Sequence, residues 1–185
     1  MRSYFVIPFA CTLLAIPFAF RSSAVAQSAP PVMVQNIYPE IPVVPFETYC
    51  RLATDCVEFE IGESEAAYSA CGIVCTRYKA KFISSARNVI QSDFFLYVGG
   101  SELTNPIVRV SGAPKFQLGE RVIAFIHTDA TNQERSLLGL EQGTYRLELE
   151  QGNPESTRVT GLHALAKESP AQFLARVHEI VNGQN

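Results

Sequence analysis

Residues 94–127, FFLYVGGSELTNPIVRVSGAPKFQLGERVIAFIH, constrain the fold more than any other part of the chain. They hold three apolar runs of strand length separated by two turn signals. Phe94 to Val98 is the first run, Gly99-Gly100 breaks it, Ile107 to Val110 is the second, and Val122 to Ile126 the third. In the second run Val108 and Val110 share one face and Arg109 takes the other, as in a half-buried strand. The connection 111–120 carries Gly112, Pro114 and Gly119, which supply a permissive φ, a fixed φ and a second tight turn. Phe116 and Leu118, two apart, are expected to dip one face of it into the core. The pattern predicts an ordered crossing.

Upstream, Tyr78, Ala80 and Phe82 alternate with Arg77, Lys79 and Lys81, the sharpest half-buried strand signal in the chain. Val89-Ile90 is expected to continue it past a bend at Ser84-Ser85. Downstream, residues 136–140 and 145–149 read as a strand pair across Glu141-Gln142-Gly143. Ser169-Pro170, followed by Phe173, Leu174, Val177, Ile180 and Val181, predicts a helix with Ser169 as N-cap, Pro170 at its first position and Gly183 as its stop. Its apolar stripe should close the barrel, with Arg176 and Glu179 facing away.

At the N-terminus Arg2 precedes an apolar stretch from Tyr4 to Phe20, and Ala24-Val25-Ala26 supplies small residues before Gln27. Residues 1–26 therefore read as a signal peptide. Pro8 and Pro17 interrupt a run already short of the ~20 residues a membrane span needs. Residues 27–46, with Pro30, Pro31, Pro39, Pro42 and Pro45, read as a Pro-rich extended arm, and 47–185 as a disulfide-bonded β-barrel domain with a C-terminal helix. An exported chain with no transmembrane span in its mature part follows, periplasmic or extracellular. Without Arg2 and Arg21 the 15 basic residues fall to 13 against 18 acidic ones, a net charge of −5. No basic cluster survives, which argues against nucleic acid as a partner.

The mature part keeps Cys50, Cys56, Cys71 and Cys75. An even number in an exported chain predicts two disulfides. A zinc site is disfavoured because C-x5-C and C-x3-C lack the C-x-x-C knuckles common in such sites. If residues 57–61 and 68–74 fold back on each other through Gly62-Glu63-Ser64, the pairing is nested, Cys56 with Cys71 and Cys50 with Cys75. A helical stripe through Ala66, Ala67, Ala70, Cys71, Val74 and Tyr78 competes with that reading.

Val108-Arg109-Val110-Ser111-Gly112-Ala113-Pro114-Lys115-Phe116, then Gly119-Glu120-Arg121-Val122 and Phe125, then Gly139-Leu140-Glu141-Gln142-Gly143-Thr144-Tyr145-Arg146, form an ordered series. It resembles a segment of uncharacterised secreted bacterial proteins in which G-x-P-x-F-x-x-G-E and G-L-x-Q-G-x-(F/Y)-R turns recur. The resemblance spans residues 72–146. It implies a small antiparallel OB/netrin-like barrel, the architecture of tissue inhibitors of metalloproteinases, and implies no reaction.

The residues themselves point to no reaction either. The histidines are His127, His163 and His178, none in a short metal-ligand arrangement, and no G-x-S-x-G elbow, P-loop or dinucleotide fingerprint is present. No cofactor is implied. His127 with Asp129 is the one local pair suited to acid–base work. Glu58, Glu60, Glu63 and Glu65 lack the spacing of a calcium loop and read as a solvated edge. The expectation is a non-catalytic binding module for an envelope or extracellular protein, with loops 99–106, 111–120 and 129–135 as its adaptable surface. The alternatives are a protease-inhibitor-like protein and a hydrolase using His127 or His163.

Overall fold

Five consecutive apolar residues, Val122 to Ile126, leave no face of a strand for water, and all five are fully buried. Such strands sit between two packed layers. They lie in β4 (Arg121–Thr128). Val122, Ala124 and Ile126 enter one core with Val57, Phe59 and Ile61 of β1 (Asp55–Tyr68), while Ile123 and Phe125 enter another. The structure is a computed structural model and describes residues 42–150 and 153–183.

The first core is the interior of a closed five-stranded barrel. β1 pairs with β2 (Val74–Ser85), β2 with β3 (Phe94–Gly99), β3 with β5 (Arg135–Leu137) and β5 with β4. β4 returns to β1 from Asp55↔Ile126 to Glu60↔Arg121, which completes the ring. All junctions are antiparallel except β3–β5, which runs parallel through Leu96↔Arg135 and Tyr97↔Ser136. Closure removes the free edges of an open sheet. The mainly β barrel with a C-terminal helix expected from the strand pattern is what the chain forms.

The second core lies outside the barrel wall. A hairpin of β6 (Thr144–Glu150) and β7 (Asn153–Thr160) extends from β4, and α1 (Phe46–Leu52) and α2 (Pro170–Asn182) pack there. Tyr145 and Phe173 have ring centroids 4.5 Å apart, and Phe46 sits 5.5 Å from Phe173 and 5.7 Å from Phe125. α2 begins and ends where its sequence predicts. Ser169 Oγ accepts from Gln172 N, Gln172 Oε1 accepts from Ser169 N, and Gly183 N donates to Glu179 O.

Arg176 departs from expectation. Its guanidinium donates through Nε and Nη2 to the two oxygens of buried Glu168, each at 2.8 Å, and lies 4.1 Å over the Phe46 ring. A planar fork both pairs with a carboxylate and stacks on an aromatic face, so a residue placed outside the apolar stripe still packs inward.

Other expectations are corrected by where Gly62 sits. β1 does not turn there. The position is a bulge in which an added Cβ would stand 3.0 Å from Lys79 O, so the glycine serves close strand approach and the turn falls later, at Ser69 to Ile73. Neither the nested cysteine pairing nor the helical stripe through Ala66 survives, because β1 keeps Cys56 and Cys71 at opposite ends of one long hairpin. All four thiols are free in the structure. Ile107 to Val110 is not a strand of the barrel, and only Ser101↔Val108 forms a bridge. Residues 136–140 and 145–149 do not pair with each other, since β5 joins β3 and β4, and a 3₁₀ turn, Leu140–Gly143, intervenes. Residues 1–26, read above as a signal peptide, and most of the segment read as a Pro-rich arm lie outside the described residues. The end of that arm belongs to the domain, because Phe46 is buried and Val44 packs beside it.

Val89 and Ile90 do not extend β2. They wrap around Asp55, whose buried carboxylate accepts from Cys56 N at 2.8 Å and Arg87 N at 3.0 Å on one oxygen, and from Val89 N at 3.0 Å and Ile90 N at 2.9 Å on the other. Truncating it strands buried donors, each costing about 1–3 kcal/mol. Asp55→Ala is therefore expected to lower unfolding stability by at least about 3 kcal/mol in urea titrations, and Asp55→Asn to recover less than half of that. Arg176→Met leaves Glu168 buried without its partner and is expected to cost about 3 kcal/mol in the same titration.

Candidate functional site

The barrel has one mouth that its strands do not fill. Past the bulge at Gly62 the β1–β2 hairpin runs on beyond β4, whose pairing with β1 stops at Glu60↔Arg121. Ser64, Thr76 and Tyr78 line the inner side of that extension with Val98 of β3 beside them, and the connection between β3 and β4 folds across it. The result is a groove of about 320 Å³. Leu103, Val110, Ala113, Pro114 and Phe116 form its apolar wall.

That wall is ordered. Gly100 has φ +82°, and a Cβ there would come within 2.9 Å of Val108 O, so the chain reverses at this point only because the residue is glycine. Ser101 N donates to Val108 O at 2.7 Å, Val108 N to Ser101 O at 2.9 Å and Glu141 N to Gly112 O at 2.9 Å. Gly119 N donates to Ile61 O at 2.7 Å, and Arg146 pairs with Glu120 while donating to Lys115 O. Pro114 is buried and the Phe116 ring meets Tyr78 edge-on at 5.4 Å, as the expected crossing requires. Leu118 does not follow Phe116 inward, and is 77 % exposed. The Gly119 turn that ties the chain to Ile61 lifts it away from the core.

The buried polar side chains of the groove are already engaged. Thr76 Oγ1 donates to Gly100 O at 2.9 Å, and Ser101 Oγ accepts from Leu103 N at 3.1 Å. Burial pushes the Tyr78 hydroxyl above its ordinary pKa, against a hydrogen bond to the Phe116 backbone. At the rim one oxygen of Glu102 accepts from Lys115 Nζ at 2.7 Å and from Arg109 Nε at 3.2 Å. The Lys115 ammonium, with help from Arg109, holds the Glu102 carboxyl below the usual carboxylate range. Two cations around one carboxylate leave the rim with an excess of positive charge on a chain that is acidic as a whole.

The histidines stand elsewhere. His127 is exposed on β4, and its neighbour Asp129 is held below its ordinary pKa first by the Thr131 N–H, then by that of Asn132 and, more weakly, by His127. That carboxylate shapes the 129–135 loop. The loop lines a separate hollow of about 520 Å³ with Phe95, Tyr97 and Asp93. His163 lies 5.7 Å from the Phe46 ring and 6.0 Å from Tyr49, with its Nε2 buried and, among the described residues, without a partner. His178 is fixed by Ala86 O and Asn182 Nδ2, each at 2.8 Å. The four glutamates do not converge. Glu58 is buried against Arg121 and Ser84, and Glu65 pairs with Arg77.

Sequence reasoning named two of the groove's loops. It missed the floor, because nothing in the sequence shows that β1 and β2 outrun the barrel. Among the described residues no helix is long and apolar enough to cross a membrane. No protein-family model, curated protein or solved structure matches the chain, so its class rests on its own strand order: a closed β-barrel with an apolar groove at one mouth.

In Lys115→Met the pKa of Glu102 is expected to rise toward the ordinary carboxylate value, read by NMR titration of the side-chain carboxyl. An unchanged midpoint would mean that Lys115 does not set the rim charge.

Proposed function

We propose that this protein is an exported, non-catalytic binding module whose barrel mouth takes an apolar side chain of an envelope or extracellular protein, with an acidic residue beside it. The apolar groove with self-satisfied polar groups carries this reading. Mouths of β-barrels are common ligand sites, and a lining with few unpaired polar atoms favours burial of an apolar group over bond chemistry. The positive excess at Arg109 and Lys115 supports an acidic neighbour on the partner. Export rests on the leader-like residues 1–26.

Neither alternative has an observation in its favour. Inhibition of the netrin-like kind inserts a free N-terminal cysteine into the target enzyme, whereas Cys50 is 1 % exposed under α2. A hydrolase would need His127 or His163 in a cleft with a carboxylate partner, and neither lines the groove.

The test is a peptide array probed with the mature domain, in parallel with Leu103→Glu and Val110→Glu, whose side chains are partly exposed and leave the core intact. Peptides pairing a large apolar residue with Asp or Glu should be retained, and each variant should weaken them at least about tenfold, the loss expected when one such side chain is no longer buried. Retention unaffected by both variants would sink the groove as the site. No retained apolar–acidic peptide would sink the binding reading.

A further inference from the structure

The register of β1 fixes where the four cysteines stand. Cys56 lies opposite Phe125 at the base of the barrel, and Cys75 lies opposite Ala67 near the far end of the same strand. About eleven residues at ~3.3 Å each put roughly 36 Å between Cys56 and Ala67. A disulfide tolerates a Cα separation of no more than about 7 Å. No bridge can therefore join Cys50 or Cys56 to Cys71 or Cys75 while β1 is intact. Cys50 packs in the same buried cluster as Cys56, beside Phe125 and Tyr145. Cys71 sits on the turn after β1 and Cys75 at the start of β2.

The two ends differ in access. Cys71 is exposed, with Sγ 3.0 Å from Ser69 Oγ, whereas Cys75, Cys50 and Cys56 are 2 %, 1 % and 0 % exposed. We propose that the thiols form two local pairs of unlike reactivity: Cys71–Cys75, an exchangeable pair at the tip of the β1–β2 hairpin, and Cys50–Cys56, a protected pair beneath α2.

At the tip the Cys71 thiolate attacks one sulfur of a small-molecule disulfide, such as oxidised glutathione, and expels one glutathione thiolate. The Cys75 sulfur then attacks Cys71 in the mixed disulfide and expels the second. One S–S bond forms as another breaks, the oxidant gains two electrons, and the two cysteine protons pass to the released thiolates. Burial raises the Cys75 thiol as well, but at the tip the exposed Cys71 makes the first attack, and under α2 no exposed thiol exists to begin the exchange. Burial pushes the Cys50 thiol up to about 11 and Cys56 well above its ordinary value, so this pair closes only while the chain is folding. The tip pair adjoins the groove, because Cys75 bridges to Gly100 and Thr76 lines the floor.

The experiment uses purified mature chain and so does not depend on the export reading. One sample is refolded in a glutathione redox buffer, and another is folded under reductant and then given oxidised glutathione. Trypsin with a glutamate-specific protease separates Cys50 (residues 48–51), Cys56 (52–58) and the tip (66–77). Mass spectrometry of the refolded sample should show 48–51 joined to 52–58, and 66–77 intact but lighter by two hydrogens. In the folded sample only 66–77 should change. Any link from 66–77 to either other peptide overturns the pairing. Thiols still free after oxidative refolding overturn it too. Core peptides that oxidise as fast as the tip overturn the difference in reactivity.

Discussion

Four backbone N–H groups converge on the Asp55 carboxylate, and the two cores of the protein meet there. The residues it gathers belong to both. Cys56 and the neighbouring Ala86 enter the outer core, while Ile90 fills one end of the barrel interior. An anion bound by several N–H groups is held more strongly than a neutral acceptor, and here it replaces the ladder that a strand over 86–90 would have supplied. α2 is tied to the same segment through His178 and Ala86 O. A single short side chain thus sets the spacing between barrel, hairpin and helix.

Features that local chemistry decides were legible in the sequence. The alternation at Tyr78, Ala80 and Phe82, the continuous run of β4, and the capped, stripe-bearing α2 each carry their conformation within a few residues. What was illegible depends on distant partners. Gly62 is a turn residue by composition and a bulge only because Lys79 approaches it. Val108 and Val110 alternate as a strand would, yet they join no strand of the barrel and became groove wall. Arg176 looks solvent-facing by helical phase, and its burial depends on Phe46 and Glu168, far away in sequence or off the helix. α1 went unread because its seven residues carry too short a pattern to reveal a periodicity.

The site divides in the same way. Glycine and proline between residues 99 and 120 marked an ordered crossing, and Glu102, Arg109 and Lys115 are visible as charges. Their meeting on one carboxylate oxygen is a product of the fold. So is the floor, created where β1 and β2 continue after β4 has ended. A groove of this type has its shape set by the unequal lengths of paired strands, and its polarity by how completely the covering connection satisfies itself.

β4 has one further consequence. Between Val122 and Ile126 every side chain answers to one of two cores, and no position faces water. Within that run there is no site at which a neutral substitution can accumulate, since a change of volume on either side is felt at once. The rim of the groove is the opposite case, with Leu103, Arg109 and Lys115 largely exposed. The molecule therefore joins a strand interior closed to sequence drift to a groove rim open to it, so that the rim can diverge on a scaffold that cannot.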